Sequence, residues 1–275
     1  MRKSIAHLTL SATPGKTIAA AAKAGFDGAG IRICGRFVGD DSFQDIIGDH
    51  AEIKRLHALT RDLGVVISNI SAFQFYPGLT TDHLKTVVDT AAGLGADTLV
   101  VNCFMKDRGE ALSLFAAYDE MASDAGMRIA LEFLPYSAVR DLAEARAFIK
   151  DSGASVSRLL IDALHLERSG GSVEDIASLD SAEMAFWQIC DARKRAAAAV
   201  SDDQLMQEAR TARLPLGKGD LPLQSMFSVL PADLEIEYEV ADASIKHLPE
   251  DVRAKAAMED LQRFLEAAEA GADAA

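Results

Sequence analysis

Cysteine is scarce in this chain and unpaired. Cys34, Cys103 and Cys190 are odd in number, far apart and free of any CxxC spacing. That excludes a disulfide framework and points to a reducing compartment. Positive charge is short as well: 28 Lys and Arg face 42 Asp and Glu, a net charge of −14 at pH 7, and the densest basic run is only Arg193-Lys194-Arg195. A chain so acidic repels a nucleic-acid backbone unless its cations gather on one face. No apolar run is long enough to span a bilayer. The start, Met1-Arg2-Lys3-Ser4-Ile5-Ala6-His7, enters a strand-like pattern without the apolar centre of a signal peptide. The expectation is a cytoplasmic protein with neither nucleic acid nor membrane as partner. Apolar material, by contrast, is ample: 49% of 275 residues, enough for a large core without cross-links.

That core is written as strands alternating with helices. Ser4–Leu10 reads as a first strand, and Thr13 to Lys23 as a helix opened by Thr-Pro. A turn at Ala24 to Gly28 leads into a second strand ending near Ile33. Ser42 to Leu63 carries an apolar stripe of helical period, with Ile46, Ile47, Ile53, Leu56, Leu59 and Leu63. Further strands are Val65–Phe73, Thr98–Phe104, Arg128–Phe133, Ser157–Asp162, Met184–Cys190 and Leu234–Val240. Helices over Thr81–Leu94, Gly109–Ala125, Asp141–Lys150 and Pro249–Glu269 stand among them, the last followed by a Gly/Ala tail. Eight strands without a linker predict one domain over residues 1–275, a single (β/α)8 barrel of class α/β rather than a doubly wound sheet. Two segments break the alternation, Ile33–Asp41 and Arg193–Arg213. Both follow strand ends, where barrel enzymes build their sites, so the second is a candidate lid or a plain surface insertion.

The strand ends carry the chemistry. Inward-facing barrel residues are apolar by default, because buried charge is costly unless paired or bound to a metal. Strand five ends Leu131-Glu132-Phe133, strand six ends in Asp162 with His165 three residues on, strand seven carries Gln188 and then Asp191, and strand eight ends in Glu239. Four consecutive strands thus aim an oxygen donor at one end of the barrel. Converging carboxylates repel without a cation between them. Glu132, Asp162, Gln188 and Glu239 form a hard donor set that suits Mn²⁺, Mg²⁺ or Co²⁺, with Zn²⁺ an alternative. Glu235, Glu237 and Glu239 share one parity, so all three face inward if Glu239 does. Glu235 then belongs at the barrel bottom, and Glu237 needs a partner such as Arg32. A bulge that makes Glu237 the ligand is the alternative.

The ordered set of Leu131-Glu132-Phe133, Asp162-Ala163-Leu164-His165, Gln188-Ile189-Cys190-Asp191 and Leu216-Gly217-Lys218-Gly219-Asp220, after Ser4-Ile5-Ala6 and Ala24-Gly25-Phe26-Asp27-Gly28, resembles the xylose-isomerase-like barrels of the sugar phosphate isomerase/epimerase superfamily. Within it, the 3-dehydroshikimate dehydratase-like branch is the most similar. The resemblance implies the same four ligands and a substrate contact at His165. Gln in the third ligand position is familiar in the dehydratase-like branch, where sugar epimerases carry His. Three features depart from the pattern. Gly30 stands where an acid is usual on strand two, with Arg32 nearby; Gly217-Lys218-Gly219 replaces Gly-Glu-Gly; and the loop from Phe73 to Gly78 lacks the dehydratases' arginine.

The implied reaction is proton removal next to a carbonyl through an enediolate, with Glu132 and Glu239 as acid–base groups and His165 orienting a polyhydroxy small-molecule substrate. Returning the proton elsewhere isomerises or epimerises a sugar or polyol. Expelling a neighbouring hydroxyl makes the same site a lyase for a cyclic keto-polyol such as 3-dehydroshikimate. Isomerase or epimerase is the favoured outcome because the dehydratase loop residues are missing, and a non-catalytic metal- or sugar-binding barrel is the competing class. Arg32 and Lys218 are candidate substrate contacts, Lys218 through a glycine-flanked turn that suits a phosphate. The helical exterior carries no interface signal, and pairing as a homo-oligomer stays open.

Overall fold

In the computed structural model, residues 1–195 and 200–272 are described. Eight parallel strands close into a barrel in chain order: β1 (Lys3–Ile5), β2 (Gly28–Arg32), β3 (Val66–Ser71), β4 (Thr98–Val101), β5 (Arg128–Glu132), β6 (Arg158–Asp162), β7 (Met184–Ile189) and β8 (Ile236–Tyr238). β1 pairs with both β2 and β8, which leaves no free edge. Among the described residues no helix is long and apolar enough to cross a membrane.

Strand parity explains where the site sits. Ile129, Leu131, Leu159, Ile161, Trp187, Ile189, Ile236 and Tyr238 face the surrounding helices and join the main apolar cluster. Their alternates Ala130, Leu160 and Phe186 make a separate small cluster, the plug of the barrel. One step further toward the carboxyl ends, the same inward row becomes Glu132, Asp162 and Gln188. Asp162 is level with Gln188, and Gln188 with Glu237.

Several expected elements are shorter than the sequence pattern suggested, among them strands three, four and eight, which lose residues at their ends, and two others change in kind. β1 stops at Ile5, and His7–Leu10 is a helical turn closed by Ser11 at φ 45°. Thr9 replaces the missing strand bonds with its side chain, donating to Tyr238 O (3.1 Å) and accepting from Val240 N (3.0 Å). The helix expected from Ser42 runs only over His50–Leu63. Gly48 at φ 74° breaks the path, and Asp49 caps the first turn by accepting from Glu52 N at 3.0 Å. Ile46 is buried all the same, as a loop residue. Of the excursion after β7, residues 196–199 lie outside the described residues, as does the end of the Gly/Ala tail, residues 273–275. The rest of the excursion forms a helix over Asp202–Thr211 that leads into Arg213.

Candidate functional site

At the carboxyl end of the strands lies a narrow cavity lined by Glu132, His165, Gln188 and Glu239, among others. Asp162 is fully buried and is not among the lining residues. Glu132, Asp162 and His165 offer ligand atoms that all lie within 4.8 Å of one another. Of the four strand-end residues read from sequence, Glu132 and Asp162 belong to this group and His165 is its third member, whereas Glu239 lies outside it and shares with Gln188 the lining of the cavity.

Glu132 Oε2 accepts from Asn102 Nδ2 at 2.6 Å, and Gln74 Nε2 in turn donates to Asn102 Oδ1 at 3.1 Å. Burial, then the charges of Glu239 and Asp162, push the Glu132 carboxyl well above the usual range. Asp162 Oδ1 accepts from the His165 backbone N–H at 2.8 Å and so caps the helical turn Ala163–Arg168. Burial, followed by the Arg213 charge, brings the His165 imidazole down to about 4, despite the pull of Asp162, and leaves it neutral. Its Nε2 is 3.8 Å from Glu132 Oε1, and its ring meets Tyr136 edge-on at 5.7 Å.

The residue that sequence reasoning missed is Arg213. Its guanidinium is 1% exposed and pairs with Asp162 Oδ2 at 2.6 Å and Glu239 Oε2 at 2.8 Å, while Nε donates to Ala209 O at 2.8 Å. Burial works against the Asp162 carboxylate, but Arg213 outweighs it and holds the group below its ordinary value. Arg213 belongs to neither a strand nor an amphipathic stripe, so no periodicity marks it. Asn102, one step past β4, was open to the same strand-end logic that found Glu132.

The three glutamates of strand eight climb the barrel as their parity requires. Glu235 lies at the bottom with Ser4 Oγ (2.6 Å) and Arg2 (3.1 Å). Glu237 takes Asn69 Nδ2 at 2.6 Å and Gln188 Nε2 at 2.7 Å, so its partners are these two amides and not Arg32. Burial, then the Glu239 charge, raise Glu237 to about 8. Gly30 makes room for it: a Cβ there would lie 2.4 Å from Glu237 Oε1. The position where an acid was looked for on strand two is thus filled from strand eight.

Arg32 lines the cavity, donating from Nε to His7 Nε2 (3.2 Å) and from Nη1 to Ala72 O (2.8 Å). Lys218 is exposed and is not among the residues lining that cavity. The amides of its turn are already engaged, because Gly217 N and Gly219 N each donate to Asp191 Oδ2 at 2.9 Å.

A divalent cation fits this donor set. Gln188 points Nε2 at Glu237 and Glu239 (2.7 and 3.4 Å), which leaves its buried Oε1 without a hydrogen-bond partner among the described residues. A cation would satisfy that oxygen. Asp162 and Glu239 keep lone pairs beyond those given to Arg213, and hard oxygen donors with one imidazole suit a divalent metal.

A closed parallel barrel with carboxylates gathered at its strand ends is the architecture of barrel enzymes. The chain belongs to the xylose isomerase-like TIM barrel family, whose model matches residues 18–268. Among solved structures it is similar to the IolI protein with a bound zinc atom (15% identity, TM-score 0.78, covering 95% of this chain and 96% of that one). It is also similar to an L-ribulose 3-epimerase (19%, 0.72, 99% and 97%) and to the probable 3-DHS dehydratase AsbF from Bacillus anthracis (16%, 0.71, 95% and 99%). No curated protein matches the chain.

Proposed function

We propose that the protein is a divalent-metal-dependent isomerase or epimerase of a sugar or polyol. The observation that carries this is the gathering of Glu132, Gln188 and Glu239 around one cavity, with Asp162 buried within 4.8 Å of Glu132 and His165 and the Gln188 oxygen left unpartnered. These four residues, with His165 beside them, would hold Mn²⁺, Mg²⁺, Co²⁺ or Zn²⁺, and such an ion supplies a Lewis acid for a carbonyl next to a hydroxyl. Glu239 and Glu132 come from β8 and β5, flank the bound substrate, and serve as the pair that removes a proton and returns it. Arg213 fixes Glu239 from one side while Asn102 fixes Glu132 from another, so neither carboxylate needs to reorganise during proton transfer. His165, neutral and close to Glu132, holds a substrate hydroxyl. The whole chain forms one catalytic unit, and nothing in this reading needs nucleic acid or membrane.

Incubation of Mn²⁺-loaded protein with ketohexoses in deuterated water tests the reading: exchange at the carbon next to the carbonyl supports it. Glu132→Gln should slow exchange by about 10²–10⁴-fold while the fold survives. Metal-loaded protein that exchanges no ketose or 3-dehydroshikimate proton, or exchange that survives in the variant, refutes it. A second reading, loss of water from a cyclic keto-polyol, is favoured by Gln188, since the epimerases that the sequence resembles carry histidine there. A rise in ultraviolet absorbance from 3-dehydroshikimate would select it.

A further inference from the structure

The cavity's outer wall has a character that the acid–base chemistry does not use. Arg32, Arg36 and Arg210 all line it, and the same three line the wider vestibule above it together with Phe43 and Lys246. Arg32 and Arg36 stand over the Phe43 ring, with guanidinium carbons 5.0 and 4.8 Å from its centre, which fixes both heads against one plate. Among the described residues none of the three arginines makes an ion pair with a carboxylate. Asp40 is near, but its oxygens accept from Arg36 N (2.8 Å) and Ser42 N (3.0 Å), which ties them to the loop backbone. Glu239, deeper down, is taken by Arg213 at 2.8 Å. His7 is neutral and serves only as acceptor for Arg32 Nε, since burial and then Arg32 hold its imidazole well below the usual value. Burial, then Arg36, bring Arg32 itself down to about 10.

Three guanidiniums facing one cavity in a chain of net charge −14 repel one another, at an energetic cost, unless an anion completes them. We propose that Arg32, Arg36 and Arg210 form an anion-binding subsite that selects a polyol bearing a carboxylate or a phosphate at the end remote from Glu132 and Glu239. This rests on the reading of those glutamates as the reacting end, and it adds the substrate's charge and its orientation. The planar guanidinium fork matches both carboxylate and phosphate oxygens. The subsite lies on the β2 side of the mouth, away from the Gly217–Gly219 turn whose amides Asp191 has filled.

Calorimetric titration of the Mn²⁺-loaded full-length protein with D-gluconate, 6-phospho-D-gluconate and sorbitol tests the subsite. At least one of the two anions should bind roughly tenfold or more tighter than sorbitol, and Arg36→Gln and Arg210→Gln should each remove roughly tenfold of that preference. Preference for gluconate identifies the carboxylate; preference for the phosphorylated acid identifies the phosphate. Arg36→Lys, which keeps the charge, should recover part of the loss. Should the glutamine variants fail to fold, raising salt from about 0.05 to about 0.5 M on the unaltered protein should weaken anion binding and leave sorbitol untouched. Equal affinity for sorbitol, no binding of either anion, or variants that keep the full preference overturn the proposal. A protein that binds the anions but not Mn²⁺ sinks the metal reading and leaves this subsite standing.

Discussion

The two halves of the barrel mouth are built from opposite materials. β5 to β8 carry Glu132, Asp162, Gln188 and Glu239 at their carboxyl ends, a carboxylate cluster countered by the buried cation Arg213, while Arg210 from the same β7–β8 connection reaches the cavity's other side. β1 to β4 and their loops contribute His7, Arg32, Arg36, Ser71, Gln74 and Asn102 to the same cavity, and no carboxylate. In the proposed reading one half takes a cation and the other an anionic group of the substrate. A ligand that satisfies both must be polar in one direction along its length. The contrast also explains how an acidic protein offers a cationic opening: its excess negative charge is spent on the far half and on the outer helices.

The largest effect should come from stripping the acidic half of its cation. Arg213→Ala leaves Asp162 and Glu239 buried without a counter-charge and should cost about 3–5 kcal/mol of unfolding free energy in chelator-treated protein. Urea denaturation measures it, and Mn²⁺ should restore part of the loss; an equal loss with and without Mn²⁺ would show that the carboxylates do not share a cation site. Next in size is the contact between the halves. Gly30→Ala drives a methyl toward Glu237 and should cost about 1–3 kcal/mol. Combining it with Glu237→Ala should cost less than the sum of the two single changes, because the clash disappears; strict additivity would contradict the contact.

The smallest effect belongs to the basic half and depends on pH. His7 has a folded pKa well below its unfolded 6.5. As pH falls below 6.5 the unfolded chain takes a proton that the folded chain refuses, so stability present above that pH is lost through the window beneath it. His7→Asn should flatten the melting temperature between about pH 4.5 and 6.5 relative to the parent protein. An unchanged slope would mean that burial and Arg32 do not restrain His7.

Which parts of this were legible in the sequence follows from periodicity. Glu132, Asp162, Gln188 and Glu239 stood out because each interrupts an apolar strand on its inward parity, and the barrel itself followed from the alternation of such strands with helices. Arg213 escaped because it sits in irregular chain, where burial depends on tertiary contacts with β6 and β8 that local pattern does not encode. The partner of Glu237 was misjudged for the same reason: Asn69 is three strands away across the interior, and nothing in β8 announces it. β1 was overextended because Thr9 keeps a strand-like composition while its side chain, not its backbone, makes the bonds to β8.

The clasp made by Asp191 has a consequence for how this loop tolerates change. One carboxylate collects the amides of Gly217, Gly219 and Leu221, and a Cβ at Gly219 would sit 2.2 Å from Asp191 Oδ1 and 2.4 Å from Ala192 O. The Lys218 side chain takes no part in the clasp, so a library randomised at 218 should retain most of its members, whereas one randomised at 219 should retain almost none. Drift at the middle letter of this turn says little about chemistry, and loss of the second glycine would mark a loop that has come undone.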